Sequence, residues 1–387
     1  MIRVGFVIDF TAQDWTGGIN YYRNLLSTLY SLPDRKIEPV LFTGLKADLN
    51  LFKDFPSVEI IRTGLLDKSG IVVLMRHVCR LIFVKEWFLE QLLIKNNISL
   101  LSHYGFLSSN AKIPTIGWIP DFQHRHLPEF FSEKEVKSRE RYFKHICRLC
   151  SCVLVSSYSA QKDLEGFDPG CLSKSRVLQF VVGFNGSVKT VALEELEKRY
   201  GFNGPFFYLP NQFWAHKNHR VVLEAVHLLK TTGRKVQVLA TGNPNDHRQP
   251  DYFKTLMTYI KTHDLMDSFR ILGLIPRADV IGLMQHSLSL LNPSFFEGWS
   301  TTVEEAKSLG KGSILSDIPV HREQNPPDGV FFDPKNPTEL AEVMWGVWSK
   351  RDLESAKRPL QQTQEELHRK RCEFAKRYED IVLSLIK

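Results

Sequence analysis

The sequence lacks the features that mark membrane-spanning, secreted or disulfide-bonded proteins. No run of about 18 uncharged apolar residues occurs, so no segment is suited to cross a bilayer as a helix. The first residues pass directly into a strand-like segment, without the cationic start, long apolar run and cleavage site of a signal peptide. Cysteine is scarce, with 6 among 387 residues, which excludes a disulfide framework. We therefore expect a globular, cytoplasmic protein.

Acidic residues are in the minority, and signals for nucleic acid and metal are missing. The chain has 50 Lys and Arg against 43 Asp and Glu, a formal net charge of +7 that suits phosphate-bearing ligands or an anionic membrane surface. The basic residues are dispersed, so we predict no nucleic-acid partner. Cys147, Cys150 and Cys152 cluster but lack companion ligands for a zinc site, and no Asp-x-Asp occurs. We expect neither a metal nor a cofactor.

Strand-like and helix-like segments alternate along the chain, and this rhythm predicts parallel sheets in an α/β protein. A length of 387 residues suits two domains better than one core. Residues 181–190 contain two glycines and little periodicity, which is typical of a linker. We predict a first domain over residues 1–188, a second over 189–364, and a terminal helix at about 365–387.

The most informative stretch surrounds the apolar run 288–291, which predicts the end of a buried strand. Pro293 ends that strand, and Thr301-x-x-Glu304 predicts a capping box at the start of a helix that ends at Gly310. A helix N-terminus at the carboxyl edge of a parallel strand offers free N–H groups and the positive end of the helix dipole. The sequence therefore predicts a phosphate site here.

Two carboxylates flank this predicted helix start, Glu297 before the turn and Glu305 in the first turn, with seven residues between them. A first-turn carboxylate can accept hydrogen bonds from the vicinal hydroxyls of a sugar while neighbouring amides hold phosphates. The arrangement predicts a sugar-nucleotide site. Taken alone, however, Glu304 and Glu305 are also explained by capping and surface charge on an ordinary helix.

The same segment resembles the Glu-x7-Glu signature of retaining GT-B glycosyltransferases of family 4, the glycosyl transferases group 1. The usual form is Pro-Ser-x-x-Glu-Gly-Phe-Gly-x-x-x-x-Glu-Ala, with Trp299 and Ser300 here in place of its Phe and second Gly. The residues in register are Pro293, Ser294, Glu297, Gly298, Glu305 and Ala306. The resemblance implies two Rossmann-like domains facing a cleft, with the terminal helix crossing back to the first domain.

A second resemblance concerns residues 211–219, which are similar to the family segment Gly-Arg-Leu-x-x-x-Lys-Gly, where Arg and Lys bind the donor's diphosphate. Lys217 matches the Lys, whereas Gln212 occupies the Arg position and lacks its charge and bidentate fork. Arg220 and His216 are the alternatives for replacing that Arg. The donor-binding residues implied are Gly17, Gly18, Gln212, Lys217, Arg220, Leu274, Ile275, Glu297, Gly298, Trp299, Ser300, Thr301, Thr302 and Glu305, with Leu274 and Ile275 beside the nucleotide base.

In the first domain, Gly17 and Gly18 follow the first strand, where the backbone can approach a phosphate or sugar or simply form a tight turn. Polar residues also follow two later strands, where open α/β sheets place ligands. Many family members have a His-Asp pair here, but Pro120 stands in the His position. The candidates for catalysis or acceptor binding on this side are Asp121, His124, His103 and His126.

The segment 71–95 has the length and apolar content of a helix. Its apolar residues are interleaved with Arg76, Arg80, Lys85, Trp87 and Lys95. Such a basic amphipathic helix can lie on a membrane interface, or it can cover the first sheet as crossover helices do. The first alternative predicts a peripheral protein on the inner face of the cell membrane.

The resemblance implies transfer of a hexose from a nucleoside-diphosphate sugar to a hydroxyl of a glycan or lipid-linked acceptor, with retention and without a metal. Lys217 and the amides of 300–302 would neutralise the departing diphosphate, Glu297 would bind the donor sugar, and Glu305 the ribose. Bacterial surface polysaccharide synthesis (O-antigen, capsule or exopolysaccharide) is the expected setting. Asp121 and His124 complete the candidate catalytic residues.

Two other classes stay open. A catalytically inactive, glycan-binding or regulatory subunit of the same fold is favoured by Gln212 and Pro120, and opposed by the intact Lys217, Glu297 and Glu305. A GT-B epimerase or phosphorylase shares the architecture, although the family 4 signature is less typical of these enzymes.

Overall fold

The computed structural model describes residues 1–9, 16–67, 69–70, 73–76, 78, 85–183, 191–350 and 360–386. The chain divides into two compact units. The first unit contains Met1–Phe122, Glu133–Val181 and His368–Lys387, and the second contains Gln123–Ser132 and Val182–Leu367. The division places Gln123–Ser132 with the second unit, whereas the sequence analysis assigned this segment to the first domain.

The described residues form two sheets, both parallel throughout. The strands of the first unit are β1 (Ile2–Val7), β2 (Ile37–Gly44), β3 (Glu59–Thr63), β4 (Leu100–Ser102), β5 (Thr115–Ile119), β6 (Cys152–Val155) and β7 (Ser175–Val177). Those of the second are β8 (Phe207–Leu209), β9 (Val238–Thr241), β10 (Phe269–Gly273), β11 (Leu290–Asn292), β12 (Ser313–Ser316) and β13 (Gly329–Phe332).

The α-helices of both units alternate with these strands. In chain order they are α1 (Thr16–Tyr30), α2 (Trp87–Lys95), α3 (Gln123–His126), α4 (Glu133–Leu149), α5 (Tyr158–Phe167), α6 (Leu193–Tyr200), α7 (His219–Thr231), α8 (Tyr252–Thr262), α9 (Arg277–His286), α10 (Thr301–Ser308), α11 (Pro319–Gln324), α12 (Pro337–Lys350) and α13 (Leu360–Ser384). None of the described helices is both long and apolar enough to cross a membrane.

When the strands are numbered within each unit, both sheets follow the order 3-2-1-4-5-6, and the first sheet has a seventh strand after the sixth. The first runs β3-β2-β1-β4-β5-β6-β7 and the second β10-β9-β8-β11-β12-β13. This is the Rossmann order, in which the direction of winding reverses beside the first strand and ligands bind at the carboxyl ends of the strands at that reversal. The predicted fold class, two Rossmann-like domains, is confirmed. The reversal lies between β1 and β4 in the first unit and between β8 and β11 in the second.

The core of the second unit covers both faces of its sheet. On one face, α7 buries Val222, Val226 and Leu229, which are spaced four and three residues apart as on one side of a helix. On the other face, Tyr208 of β8 packs in a cluster that includes Ala306 of α10. Strands covered on both faces become continuous apolar runs. This explains why β8 and β11 are buried at every residue.

The terminal helix α13 belongs to the first unit from His368 onward, whereas its first residues, up to Leu367, are grouped with the second. Tyr378 is buried, and its hydroxyl donates to Ser102 Oγ at the end of β4 over 2.8 Å. The carboxylate of Glu379 accepts from the backbone amides of Lys36 (2.6 Å) and Ile37 (3.3 Å) at the start of β2. These polar contacts fix the position of α13 along the sheet in addition to its apolar burial.

The prediction of one continuous helix over 71–95 is wrong. Residues 73–76 and 78 are helical, but Lys85 and Glu86 are not, and the helix α2 begins at Trp87. Glu86 is turned inward instead, where its carboxylate receives the guanidinium of Arg76 over 2.7 Å, with both side chains buried. Arg80 lies outside the described residues, as do 184–190 of the predicted linker. The sequence analysis also missed the short strand β7 and the helix α6.

Candidate functional site

Lys217 and Glu297 form a buried ion pair at the strand reversal of the second unit. Lys217 Nζ lies 2.7 Å from Glu297 Oε1, and the two side chains are 16% and 9% exposed. Lys217 ends the 3-10 turn Ala215–Lys217 after β8, whereas Glu297 follows β11. Burial, the largest single influence, raises the pKa of Glu297. The charge of Lys217 and the hydrogen bonds from Lys217 and Ser294 act together against it, and the net effect lowers that pKa below its ordinary value. The carboxylate of Glu297 is therefore ionised at neutral pH.

The residue after Lys217 fixes the loop in place. Asn218 adopts a left-handed backbone conformation, with φ of 53°, and its Nδ2 donates to the carbonyls of Pro293 (3.1 Å) and Pro334 (2.8 Å). Asn tolerates this conformation better than most side chains do. Asn218 thus adopts a conformation that favours Gly, the residue of the family segment at this position, and it makes two hydrogen bonds that join the loops after β8, β11 and β13.

Glu297 is oriented by hydroxyl and amide groups around the end of β11. Ser294 Oγ donates to Glu297 Oε1 over 2.7 Å. Asn292, the last residue of β11, accepts from Asn211 Nδ2 over 3.2 Å and donates through its own Nδ2 to Ser300 Oγ over 2.8 Å. The loop from β11 to the next helix is thus held from within by buried polar side chains, which preorganises the carboxylate.

The helix start differs by one residue from the predicted capping box. Ser300 is the N-cap of α10, and its hydroxyl accepts from the amide of Val303 at 3.5 Å, while Thr301 is the first helical residue. The predicted capping box from Thr301 to Glu304 is therefore wrong, because Ser300 takes the capping position. Glu304 does not return to the N-cap but accepts from Lys307 Nζ over 2.8 Å.

A glutamine from another helix supplies the reciprocal capping bond. Gln324 Oε1 accepts from the Ser300 amide over 3.2 Å, and its Nε2 donates to the Ser300 carbonyl over 2.9 Å. The Ser300 amide, predicted as a phosphate donor, is thus already engaged. The amides of Thr301 and Thr302 lie in the first turn, before any intrahelical acceptor is available to them. Their side chains are half-buried, so this end of α10 is reachable from solvent.

Glu305 is buried one turn into α10, where its carboxylate pairs with the guanidinium of Arg277. Arg277 opens α9, and its side chain is 52% exposed. The preceding Leu274, predicted to contact the nucleotide base, is 70% exposed, while Ile275 is half-buried. Sequence reasoning missed Arg277. Its position, directly after the predicted base-contacting loop, was the available signal.

Neither residue suggested as a substitute for the missing Arg places a second charge beside Lys217. Arg220 is exposed, pairs with Glu224 over 2.6 Å on the same helix, and lies 3.9 Å from the ring centroid of Tyr259. Burial lowers the pKa of His216 well below its ordinary value, so this imidazole is neutral. Gln212 itself turns toward the sheet edge, where its Oε1 accepts from the Asn243 amide over 2.7 Å.

A second arginine that the sequence analysis missed lies in the loop after β9. The guanidinium of Arg248 is 4.7 Å from the ring centroid of Phe131 and 5.3 Å from that of Trp214, and it donates to Gln123 Oε1 over 3.0 Å. Asp246 of the same loop accepts from the Ala215 amide over 3.0 Å. This loop therefore supports the turn that carries Lys217 and also holds the segment Gln123–Ser132.

The acceptor-side candidates are divided between the two units. His126 is exposed, and its ring lies 4.9 Å from that of Phe296, the residue before Glu297. His124 is buried in the same segment. Asp121 and His103 belong to the first unit. The structure thus brings one of the three predicted histidines, His126, next to the Glu297 loop.

The strand reversal of the first unit is filled by aromatic side chains around His103. Its Nε2 lies 2.7 Å from Tyr21 Oη and its Nδ1 lies 2.8 Å from Ser102 Oγ, so both ring nitrogens are engaged. Burial lowers the pKa of His103 to about 3. Tyr21 stacks on Trp118 with ring centroids 4.3 Å apart. The predicted pair Gly17 and Gly18 forms the first turn of α1 rather than a loop before it, and Trp15 lies outside the described residues.

Metal-ligating side chains do not gather anywhere in the described part of the chain: no three His, Cys, Asp or Glu residues come close enough to hold an ion. The described cysteines, Cys147, Cys150, Cys152, Cys171 and Cys372, are free thiols.

Comparison with known proteins agrees with this architecture. Residues 194–365 match the family model of glycosyl transferases group 1. The fold is similar to that of HepE from Anabaena in complex with UDP-glucose (TM-score 0.71, 16% identity, 99% of this chain and 100% of that chain). It is also similar to the lipopolysaccharide outer core galactosyltransferase WaaB (TM-score 0.62, 15% identity, 99% of each chain).

Sucrose-phosphate synthase from Thermosynechococcus elongatus gives a further match (TM-score 0.66, 13% identity, 100% of this chain and 99% of that chain). No curated protein matches the sequence. Identities this low show a shared fold, and the family match lies on the unit that contains Lys217, Glu297 and Glu305. Residues 194–365 are therefore a glycosyl transferases group 1 domain, and the chain as a whole has the GT-B fold.

Proposed function

We propose that this protein is a retaining, metal-independent hexosyltransferase that uses a nucleoside-diphosphate sugar. The observation that carries the proposal is the buried Lys217–Glu297 pair, which lies at the strand reversal beside the start of α10. A cation, a helix N-terminus and two carboxylates around one strand end match the parts of a sugar nucleotide: a diphosphate, a ribose and a hexose.

In this proposal the diphosphate binds between Lys217 Nζ and the amides of Thr301 and Thr302. A lysine ammonium has three donors, so it can bind a phosphate oxygen without releasing Glu297. Glu305 accepts hydrogen bonds from the ribose hydroxyls while Arg277 holds its other oxygen. The exposed Leu274 covers the base. Glu297 then lies on the hexose side of the diphosphate and accepts from a sugar hydroxyl.

The bond between C1 of the hexose and the β-phosphate oxygen breaks, and its electron pair leaves with the phosphate. Lys217 and the helix amides neutralise the charge that develops there. The acceptor hydroxyl forms a new bond to C1 on the same face, and its proton passes to the departing phosphate oxygen. The products are the glycosylated acceptor, with unchanged anomeric configuration, and a nucleoside diphosphate. No step requires an enzymic nucleophile, and Asp121 and His124 remain candidates for orienting the acceptor.

The acceptor in this proposal is a glycan or lipid-linked saccharide of a bacterial surface polysaccharide. Two observations support it: His126 is exposed beside the Glu297 loop, and one similar structure is a galactosyltransferase of the lipopolysaccharide outer core. An exposed imidazole next to an aromatic ring offers both a hydrogen-bonding atom and an apolar face to a sugar.

Cytoplasmic location with peripheral attachment to a membrane is the last part of the proposal. The basic residues are no longer the main support for this attachment, since Arg76 is buried against Glu86 and is not available to lipid headgroups. The exposed side chains in this region are mostly apolar instead: Leu74, Met75, Val78 and Trp87, with Lys85 beside them. Apolar residues that face solvent, with a Trp at one end, suit the interface of a bilayer.

The attachment is tested by co-sedimentation with liposomes that contain anionic lipid. Replacement of Leu74, Met75 and Trp87 by Ser should abolish sedimentation, whereas Lys85→Gln should reduce it by a modest factor at low salt, since one basic residue near the surface contributes about 1 kcal/mol. Wild-type protein that stays in the supernatant at low salt would refute the membrane claim and leave the transferase proposal unaffected.

The donor is tested by thermal shift against UDP, GDP, ADP and TDP and their glucose conjugates. A ligand at 100 times its dissociation constant stabilises the folded protein by about 2.7 kcal/mol. We expect one nucleoside diphosphate and its glucose conjugate to raise the thermal unfolding midpoint, both with and without EDTA. Absence of a shift for every nucleotide would overturn the proposal, and a shift abolished by EDTA would overturn its metal independence.

A further inference from the structure

The short helix α11 lies directly behind the candidate donor site and carries two buried polar side chains, His321 and Gln324. Neither belongs to the Glu-x7-Glu segment or to the Lys217 loop. Gln324 is hydrogen-bonded to both backbone groups of Ser300. His321 reaches the same loop by a different route, through the end of β12. Gln324 thus contacts the start of α10 directly, whereas His321 reaches the Glu297 loop only through Ser316.

The connection from His321 to Glu297 consists of three hydrogen bonds. His321 Nδ1 lies 2.9 Å from the carbonyl oxygen of Ser316, the last residue of β12. Ser316 Oγ donates to the carbonyl of Ser294 over 2.6 Å. Ser294 Oγ in turn donates to Glu297 Oε1 over 2.7 Å. Glu297 Oε1 is thus held both by the ion pair with Lys217 and, through Ser294, by this connection.

The protonation state of His321 follows from its surroundings. A carbonyl oxygen can only accept, so Nδ1 must carry the hydrogen. The imidazole is fully buried, and this burial lowers its pKa to about 4. Its Nε2 has no hydrogen-bond partner within the described residues. The ring is therefore a neutral Nδ1–H tautomer, and it leaves the charge of Glu297 to be balanced by Lys217.

We propose that α11 is the positioning element of the donor site, in which His321 orients Glu297 through Ser316 and Ser294, and Gln324 fixes the start of α10 through Ser300. Each residue then governs a different part of the ligand. His321 affects the hexose subsite, because it acts on Glu297. Gln324 affects the diphosphate subsite, because it sets the direction of the amides that follow Ser300. The inference rests on the proposed function for the names of these two subsites.

Three variants of His321 separate its two ring nitrogens. In His321→Asn the amide nitrogen occupies the place of Nδ1 and can donate to the Ser316 carbonyl. In His321→Gln the amide reaches the place of Nε2, and His321→Ala has neither. We expect kcat/KM for the sugar nucleotide to fall 10- to 100-fold in the Ala and Gln variants and to be largely recovered in the Asn variant. The dissociation constant of UDP, measured by calorimetry, should stay within about twofold of wild type in all three.

Gln324→Leu is the matched variant from the same helix. It removes both hydrogen bonds to Ser300 while it keeps the apolar volume. We expect UDP to bind 5- to 30-fold more weakly, with uridine binding unchanged, because uridine has no diphosphate. Parallel loss of UDP affinity in the His321 and Gln324 variants would overturn the division of roles. So would a His321→Asn variant as impaired as His321→Ala, or full kcat/KM in His321→Ala.

The tautomer offers a test that does not depend on any ligand. Nitrogen-15 correlation spectra of protein labelled in histidine, with His321→Asn used to assign the signal, should show a neutral Nδ1–H ring at pH 7. An Nε2–H ring or an imidazolium would overturn the inference even if the donor had been identified. Absence of nucleotide binding by wild-type protein would instead refute the proposed function, and the spectrum would still decide the state of His321.

Discussion

The two units have the same strand order but use the reversal of that order differently. In the first unit the carboxyl ends of β1 and β4 meet neutral, mutually hydrogen-bonded groups: His103, Tyr21 and Ser102. In the second unit the ends of β8 and β11 meet the buried charges of Lys217 and Glu297. The shared topology therefore provides a location for chemistry in both units, and the side chains at that location determine whether a charged ligand fits.

The two strand reversals also differ in how their polar atoms are hydrogen-bonded. His103 and Tyr21 use their polar atoms on each other and on Ser102, and aromatic rings surround them. Around Glu297 the polar groups are also satisfied, but at the start of α10 two amides and the half-exposed Arg277 remain near the surface. The polar ring atoms of His103 are all used within the first unit. In the proposed function, the second unit offers the amides of Thr301 and Thr302 to a ligand.

The largest effect is expected from Lys217→Ala. Loss of the cation that neutralises the departing diphosphate should lower kcat by about 100-fold or more. Lys217→Arg should restore only part of the rate because its geometry differs. Rates should be measured well below the unfolding midpoint, since Glu297 is left buried without its partner. Arg220→Ala, three residues along the chain on an exposed face, is the control with near-normal turnover; full turnover by Lys217→Ala would contradict the role.

Glu305→Ala should come next, with a loss of about 2–3 kcal/mol in nucleoside-diphosphate binding, because a buried, charged acceptor is removed from the ribose. Calorimetry with UDP measures the change directly. Arg277→Ala should weaken nucleoside-diphosphate binding less than Glu305→Ala does. The Glu305 carboxylate is kept in this variant and loses only the guanidinium that pairs with one of its oxygens. An unchanged dissociation constant in Glu305→Ala would remove this residue from the site.

The pH dependence of stability tests the neutral histidines of both units. Burial lowers the pKa of His103 and His219 to about 3 and that of His321 to about 4. Because these folded values lie below the unfolded value near 6.5, the stabilisation is complete above pH 6.5 and is lost as the pH falls toward the folded values. Each of these histidines should lower the unfolding free energy by about 2 kcal/mol as the pH falls from 7 to 5.

Urea unfolding at the two pH values measures this loss. The glutamine of His103→Gln cannot titrate. The unfolding free energy of this variant should therefore fall less than that of wild type between pH 7 and pH 5, and the difference should equal the contribution of one histidine. The same variant should leave UDP binding unchanged, because His103 belongs to the first unit and makes no contact that the donor proposal uses. An unfolding free energy that is equal at pH 7 and pH 5 would show that these imidazoles are not held neutral.

The smallest effect is expected from Tyr378→Phe, which removes the hydrogen bond to Ser102 and leaves the ring. A single neutral hydrogen bond contributes about 1 kcal/mol, so the urea midpoint should fall slightly. Turnover should not change. A loss of turnover larger than twofold would mean that the first unit's reversal takes part in chemistry and that the contrast between the units is false.

Much of the fold followed from local patterns. The alternation of strand-like and helix-like segments predicted the parallel sheets of both units, because apolar runs and periodic segments are local features of the sequence. The predicted single helix over 71–95 failed at Glu86, whose inward turn is explained by an ion pair with Arg76 that no local pattern reveals. The capping box failed by one residue because Ser300 and Thr301 are both good caps, and burial of Ser300 against Gln324 decided between them.

The site was predicted in part for the same reason. Lys217, Glu297 and Glu305 come from motifs with fixed spacing, so sequence could name them. Arg277, Gln324 and His321 were missed. Arg277 acts on Glu305 across 28 residues, and Gln324 acts on Ser300 across 24 residues. His321 contacts Ser316, five residues away, and reaches Glu297 only through Ser294. Their roles arise from which loops the parallel sheet brings together, and that placement is known only once the strand order is known.

The Lys217–Glu297 pair also has a consequence for competition among anions. An ammonium that already faces a carboxylate at 2.7 Å offers little to an anion that brings charge alone, since such an anion must repel Glu297 to approach it. Inorganic phosphate or sulfate therefore gains almost nothing from this cation. In the proposed donor site, a sugar nucleotide would bring hydroxyls for Glu297 and Glu305 together with phosphates for Lys217. The paired carboxylate would then select against simple anions and in favour of this composite ligand.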